Sequence, residues 1–591
     1  MSPANRPFST TVGAIGVLLA ALCALPLQAQ TEAPDEPPAR GLIVRLKQPV
    51  AHEGARARDA SPESMRWRRV LGEAGLSGAS GRREPRMRPV GRDQQLLEFE
   101  APLSRSEVTA LREKLMARPD VDWVEPNVRE RRLQATPSDP LFAQQWWLQS
   151  VSGSNANALD ARLRGVAGFQ TAWLRTNQAP VVVAILDTGI TSHPDLAGRV
   201  LPGYDFVSDL EYANDGNGWD ADASDPGDWV SLADKQRNPQ AYVGCDIEGS
   251  SWHGTIVAGI VGANANNGIG GAGVHWGASI LPVRVAGKCG AEVLDIVEGM
   301  RWAAGLPVGG VPLNKNPARI INISFGGSAA CGQAYQTAVD ELRGMGVVVV
   351  AAAGNEWASH PSRPANCDGV VGVTGLNRDG FKTNYSNFGA QLTASGIAAV
   401  AGDDLGDNNV RSGAWRTALS DSGLVSLTNF GSTTAAAVGY ARLYGTSFAA
   451  PQVAGTLAHM LSLNPTLSYE QIVRGLHLSA RPHVTSPKIA DCSDDNPGRC
   501  ICTKATCGAG ILDAEQAMLY ATQPDSYVPP RRVPAVIDNA DVDAALALAA
   551  QDRPPNVVRS TADSGGGAMG GFWLLALFTA ALTLRAVRPR P

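Results

Sequence analysis

The sequence carries little excess charge of either sign. Its 51 Lys and Arg stand against 56 Asp and Glu, a formal net charge of −5, and charged residues make up only 18% of the chain. A protein that grips nucleic acid concentrates positive charge, and nothing here suggests one. Paired CxxC elements are also missing. The last four cysteines, Cys492, Cys500, Cys502 and Cys507, are not spaced that way, which makes zinc the weaker reading of that group. No small residue precedes Cys23. Leu22 stands there instead, which speaks against a lipid anchor at that cysteine.

What is present is enough apolar material for several domains. The chain has 591 residues, 44% of them hydrophobic, and a length that suits two to four domains. Charge is divided unevenly. Residues 136–525 hold 34 Asp and Glu against 23 Lys and Arg, whereas residues 31–135 hold 20 basic against 17 acidic. A basic N-terminal region beside an acidic body suits an intramolecular pair. Residues 1–30 read as a signal peptide, with Arg6 ahead of an apolar run from Val12 to Leu27 and Ala29 as a plausible cleavage position. Outside this leader eight cysteines remain: Cys245, Cys289, Cys331, Cys367, Cys492, Cys500, Cys502 and Cys507. An exported chain would oxidise them to disulfides. Eight cysteines allow 105 pairings. Order along the chain favours Cys245–Cys289 and Cys331–Cys367, with the last four pairing locally.

Residues 31–135 read as a small α+β domain. Residues 41–46 and 95–100 have strand character, and Ser104 with Glu107 forms a capping box ahead of the helical face Val108, Leu111 and Leu115. Residues 121–127 close the unit. Arg66 to Arg92, rich in arginine and glycine, is expected to be a mobile loop.

Chemistry concentrates further on. In Gly445-Thr446-Ser447-Phe448-Ala449-Ala450-Pro451 a serine sits at the mouth of a helix, after a glycine turn. Free N–H groups and the positive end of the helix dipole can steady an oxyanion formed there. A serine hydroxyl needs a base to take its proton. His253 is the candidate, in the first turn of a helix whose apolar face carries Ile256, Val257 and Ile260. Asp187 follows the apolar run Val181–Leu186, a buried parallel strand by pattern. It then lies where open α/β sheets place their sites, and can orient His253.

The order Asp, His, Ser and the segments Asp187-Thr188-Gly189, His253-Gly254-Thr255 and Gly445-Thr446-Ser447-x-Ala449-x-Pro451 resemble the subtilisin-like serine proteases. The resemblance implies an α/β fold with a doubly wound, mostly parallel sheet, and an endopeptidase working through an acyl-enzyme. It implies that Asn355, in Ala352-Ala353-Gly354-Asn355, donates to the oxyanion. It makes Ser324, Phe325, Gly326 and Gly327 a substrate cleft, where a peptide can add as an extra strand. Residues 31–135 resemble the family's inhibitor-type propeptide, an intramolecular inhibitor and folding aid. Residues 136–522 then form the catalytic domain, 523–564 a linker and 565–591 a hydrophobic tail. An unrelated N-terminal binding module is the other reading of 31–135. An aspartic-protease reading would pair Asp187 with Asp421-Ser422-Gly423, but that segment has polar flanks and the other motifs go unexplained.

Two calcium sites are expected. Asp195 and the loop carrying Ala265, Asn267, Ile269 and Gly271 match the family's tight site. The second is an acidic loop with Asp215, Asn217, Asp220, Asp222, Asp225 and Asp228, whose carboxylates repel one another unless a cation sits among them. Ser564 to Leu584 carries no charge and is followed by Arg585, Arg588 and Arg590, a marginal membrane span. The glycines before it resemble a C-terminal sorting signal removed by a membrane protease; a permanent anchor is the alternative. The whole reads as a secreted or cell-surface protease, made as an autoinhibited precursor. A protease-shaped protein that binds peptides without cutting them is the contrasting expectation.

Overall fold

A computed structural model describes residues 39–47, 62–76, 85–90, 94–103, 105–127, 136–151, 163–176, 178–403, 421–538, 540 and 542–543. The signal peptide, Ser104 and the tail at 565–591 lie outside the described residues. The chain divides into two compact units, Met1–Arg132 and Leu133–Pro591.

In the first unit, β1 (Ala39–Leu46), β2 (Arg86–Val90), β3 (Gln94–Leu103) and β4 (Val121–Pro126) form an antiparallel sheet in the order β2-β3-β1-β4. Helices α1 (Pro62–Glu73) and α2 (Arg105–Met116) accompany it. The expected mobile loop from Arg66 is therefore corrected. Between the arginines, Trp67, Val70, Leu71 and Ala74 recur at helical spacing and are buried, and Arg86–Val90 pairs with β3.

The second unit is built on seven parallel strands. They are β5 (Val181–Asp187), β6 (Tyr204–Asp205), β7 (Ala278–Arg284), β10 (Ile320–Ile323), β11 (Val348–Ala352), β12 (Val371–Leu376) and β13 (Ile397–Val400), in the order β13-β12-β11-β10-β5-β7-β6. A short hairpin, β8 (Ala286–Gly287) with β9 (Gly290–Ala291), follows β7. A separate antiparallel pair, β14 (Leu424–Asn429) with β15 (Val438–Leu443), precedes the serine motif. Three short helices, α3 (Phe169–Ala172), α4 (Leu210–Ala213) and α5 (Leu232–Arg237), lie in connections. The principal helices are α6 (His253–Gly262), α7 (Val293–Ala303), α8 (Gln333–Gly344), α9 (Ala450–Leu463) and α10 (Tyr469–Ser479). Beyond them come α11 (Lys504–Cys507) and α12 (Ala514–Thr522).

Successive strand residues point to opposite faces, and both faces are covered. Val183, Ile185, Ile320 and Val350 join one core with α6 and α9, while Ala184, Leu186, Ile321 and Val349 join another with α7 and α8. Burial on two faces explains why these strands read as continuous apolar runs rather than alternating ones. Strand order runs one way from β5 to β7 and the other way from β10 to β11. The ends of β5 and β10 thus flank the point where a doubly wound sheet opens a crevice.

All four disulfides follow chain order: Cys245–Cys289, Cys331–Cys367, Cys492–Cys500 and Cys502–Cys507. The sulfurs of Cys492, Cys502 and Cys507 lie close enough to hold a metal, but each is consumed in a disulfide. The expected linker from residue 523 is partly docked. Residues 535–537 bond to Thr485, and Ile537 and Val542 are buried in the main core. Among the described residues no helix is long and apolar enough to cross a membrane.

Candidate active site

Asp187 ends β5, and its Oδ1 lies 2.7 Å from Nδ1 of His253, the first residue of α6. Both side chains are 1% exposed. The Asp187 carboxylate also accepts the Thr188 N–H at 2.8 Å, which fixes its rotation. The residue after His253 has to be glycine. A Cβ on Gly254 would sit 2.1 Å from the Gly189 carbonyl oxygen, so the helix enters against the loop that follows Asp187. Burial works to lower the His253 pKa. The negative charges of Asp187, Asp228 and Asp225 outweigh it, and the imidazole is left above its ordinary value.

Asp225 and Asp228 hold the residues around His253, contacts that could not be read from the sequence. Asp225 accepts the Thr188 hydroxyl at 2.7 Å, and Thr188 Oγ1 in turn accepts the Gly254 N–H. Asp228 accepts both the N–H and the hydroxyl of Ser251 at 2.6 Å, and Ser251 Oγ accepts the His253 N–H at 3.3 Å. Burial, then the neighbouring Asp228, pushes Asp225 up to about 7, and burial raises Asp228 as well. Two acids assigned by pattern to a cation loop therefore support the first turn of α6.

The rest of that acidic loop is also dispersed. Asp215, with Asp205, is ion-paired to the buried Arg284. Asn217 donates to Asp220, and Asp222 accepts the Ser224 N–H. A guanidinium and local turns answer part of the repulsion in this loop. Among the described residues no three carboxylates or histidines converge closely enough to hold an ion.

Ser447 lies in a 3-10 turn, Thr446–Phe448, directly ahead of α9, and the ring of its neighbour Phe448 packs 5.8 Å from the His253 ring. Its hydroxyl donates to the Ser324 carbonyl at 2.7 Å, and Ser324 Oγ donates back to the Ser447 carbonyl at 2.9 Å. Ser324 thus touches the serine itself as well as opening the segment assigned to substrate. Asn355 accepts both the Thr446 N–H and the Thr446 hydroxyl on Oδ1 at 3.0 Å. A backbone N–H needs an acceptor, so this contact fixes which end of the amide is oxygen. Nδ2 is the end left to donate, 3.7 Å from where a Cβ on Gly445 would lie.

Phe325, Gly326 and Gly327 line a cleft of about 200 Å³ that also reaches Asp187 and His253. Gly327 exchanges two backbone hydrogen bonds with Arg363. Only glycine fits at 326, since a Cβ there would lie 2.3 Å from the Arg363 carbonyl oxygen.

Asp195 is fully buried. It accepts from Asn267 Nδ2 at 2.6 Å and from the Tyr440 hydroxyl at 3.2 Å. Asp139, missed in the sequence, accepts the N–H groups of Asn266, Asn267 and Gly268 beside it. Neither acid is ion-paired among the described residues, and burial, with Asp139 adding to it, raises the Asp195 pKa.

Residues 178–499 match the model of the Subtilase family, Peptidase_S8. The chain belongs to the subtilase family. It is 36% identical over 428 residues to an extracellular protease of Xanthomonas campestris pv. campestris, covering 72% of this chain and 64% of that protein. It is 37% identical over 351 residues to an extracellular basic protease of Dichelobacter nodosus, covering 59% and 52%. The chain thus spans less than two thirds of either relative. Among solved structures, a protease from Pseudoalteromonas arctica is 39% identical, with a TM-score of 0.54, covering 66% of this chain and 100% of that one.

Proposed function

We propose that this subtilase is a secreted serine endopeptidase. The observation that carries the proposal is the buried His253–Asp187 pair at 2.7 Å, with Phe448, the residue after Ser447, against the imidazole. Nδ1–H donates to Asp187, which leaves Nε2 as the basic nitrogen. Ser447 Oγ leaves the Ser324 carbonyl, gives its proton to Nε2 and attacks the substrate carbonyl carbon. The resulting oxyanion takes hydrogen bonds from Asn355 Nδ2 and the Ser447 N–H. The imidazolium, stabilised by Asp187, then protonates the leaving amine, and water repeats the cycle on the acyl-enzyme. Substrate backbone would run along Phe325 and Gly326.

The same proposal covers the other parts. The two curated relatives are named as extracellular, which supports export, and four disulfides fit an oxidising compartment. The N-terminal antiparallel unit suits an inhibitor-type propeptide. A hydrophobic tail at 565–591 suits removal by a membrane sorting protease. For calcium, Asp195, Asn267 and the carbonyls of Ala265, Ile269 and Gly271 are the ligands, with Asp139 as a second charge. Two buried acids without a cationic partner are a donor set that suits a hard divalent ion, which would tie the loop to the body.

The test is labelling with a fluorophosphonate and digestion of casein. Matured protein should form one adduct, at Ser447, and Ser447→Ala should form none and leave casein intact. A variant that still digests casein at the parental rate overturns the assignment.

A further inference from the structure

The cleft beside His253 has a charge pattern that the catalytic chemistry does not require. Phe325, Tyr335, Val293 and Ile296 give it apolar surface. Cys245, Asp246 and Glu248 also line it, in a segment tied to the β8–β9 hairpin by Cys245–Cys289 and to Val230 by two backbone hydrogen bonds at Glu248. Besides Tyr335, six charged or titratable groups line the space: Asp187, His253, Asp228, Asp246, Glu248 and Arg363.

Most of these are committed elsewhere. Asp187 Oδ1 is bound to His253, although its buried Oδ2 has no hydrogen-bond partner. Both oxygens of Asp228 hold Ser251. Arg363 lies over the Tyr335 ring at 5.8 Å. Asp246 is open to solvent. Glu248 differs from them all. It is half-buried, and its carboxyl makes no hydrogen bond or ion pair with any described residue. Burial first, then Asp228 and Asp246, push it up to about 8. A desolvated acid beside like charges destabilises the empty cleft, and the arrival of a cation relieves that penalty.

We infer that this cleft takes a lysine or arginine side chain of the substrate, with Glu248 as the residue that selects it. The methylene stem lies along the apolar wall, as long cationic side chains do, and the charged head reaches Glu248. The inference rests on the endopeptidase reading and adds the substrate class to it.

The experiment compares peptides that differ only in bearing lysine, arginine, norleucine or glutamate at each position around the scissile bond. Rates are normalised to active sites titrated with fluorophosphonate. At one position lysine or arginine should exceed norleucine at least tenfold in kcat/KM, and glutamate should fall below norleucine. Glu248→Gln should cut the lysine-to-norleucine ratio at least fivefold, and Glu248→Lys should shift preference toward glutamate. The wild-type series alone overturns the inference if no position favours a cation, whether or not the variants fold. Preference that survives Glu248→Gln overturns it too. An enzyme that takes the adduct and cuts without cationic preference sinks this inference only. A protein that neither takes the adduct nor cuts any peptide sinks the endopeptidase reading, and this inference with it.

Discussion

Two imidazoles in the core should make the protein sensitive to mild acid. His275 and His459 stack with ring centroids 4.2 Å apart and planes 20° from parallel, both fully buried. His459 is satisfied as a neutral ring. Nε2 lies 2.8 Å from the Val274 carbonyl, which can only accept, so Nε2 carries the proton and Nδ1 takes the Thr176 hydroxyl at 3.0 Å. Burial lowers its pKa to about 4 from an ordinary 6.5. Between those values the unfolded chain binds a proton that the folded chain refuses. The stability contribution is therefore complete above pH 6.5 and is lost as pH falls toward 4. At about 1.4 kcal/mol for each tenfold step, the gap is worth about 3 kcal/mol. His459→Gln can keep both contacts without titrating. The assay is the thermal midpoint of fluorophosphonate-blocked protein, which cannot digest itself, from pH 7.5 to 4.5. Domains of this size shift by about 2 °C or less per kcal/mol, so the parent should lose about 5 °C more than the variant. Parallel curves for the two proteins would refute the reasoning.

Four further outcomes are expected. Asn355→Ala should lower kcat by about a hundred- to a thousandfold, the range measured for the equivalent donor in subtilisin. Thr446→Val, which removes one of the two hydrogen bonds that orient Asn355, costs about 1 kcal/mol and should lower kcat about fivefold; both are read by peptide hydrolysis, and unchanged kcat in Asn355→Ala would contradict the oxyanion role. Asp187→Asn should depress kcat/KM about 10⁴-fold at neutral pH by favouring the wrong imidazole tautomer, measured across pH 6 to 10. Chelation with EDTA should lower the thermal midpoint of the parent, while Asp195→Asn should start lower and respond less; equal responses would remove Asp195 from the proposed ligands.

The residues proposed to perform chemistry were legible because each sits at a boundary that leaves a pattern. Asp187 ends an unbroken apolar run, His253 opens a helix of small and apolar residues, and Ser447 follows a glycine with φ of +142°. The residues that hold them were not legible. Ser324 meets Ser447 across 123 positions of chain, and Asp228 meets Ser251 across 23, contacts that no local period encodes. The partners of the acidic loop were hidden for the same reason. Its charges were visible, but Arg284, 69 residues beyond Asp215, was not visibly their partner. In the first unit, α1 was hidden by arginines spaced among Trp67, Val70 and Leu71. Composition dominated the reading there, while the spacing of those few apolar residues decided the fold.

Three buried carboxylates around one buried imidazole form a single electrostatic unit. Asp187 touches the ring, whereas Asp225 and Asp228 act on it through charge while their oxygens hold Thr188 and Ser251. Each acid alone would be costly to bury. Together they gain when the imidazole takes a proton, the state that the proposed attack by Ser447 would reach. The raised pKa of Asp225 has burial as its first cause and the charge of the neighbouring Asp228 as its second. Under the proposed mechanism, the imidazolium formed as Ser447 attacks would relieve the like-charge repulsion along the reaction coordinate. The carboxylates hold the first turn of α6 in place by hydrogen bonds and favour the charged transition state by the same placement.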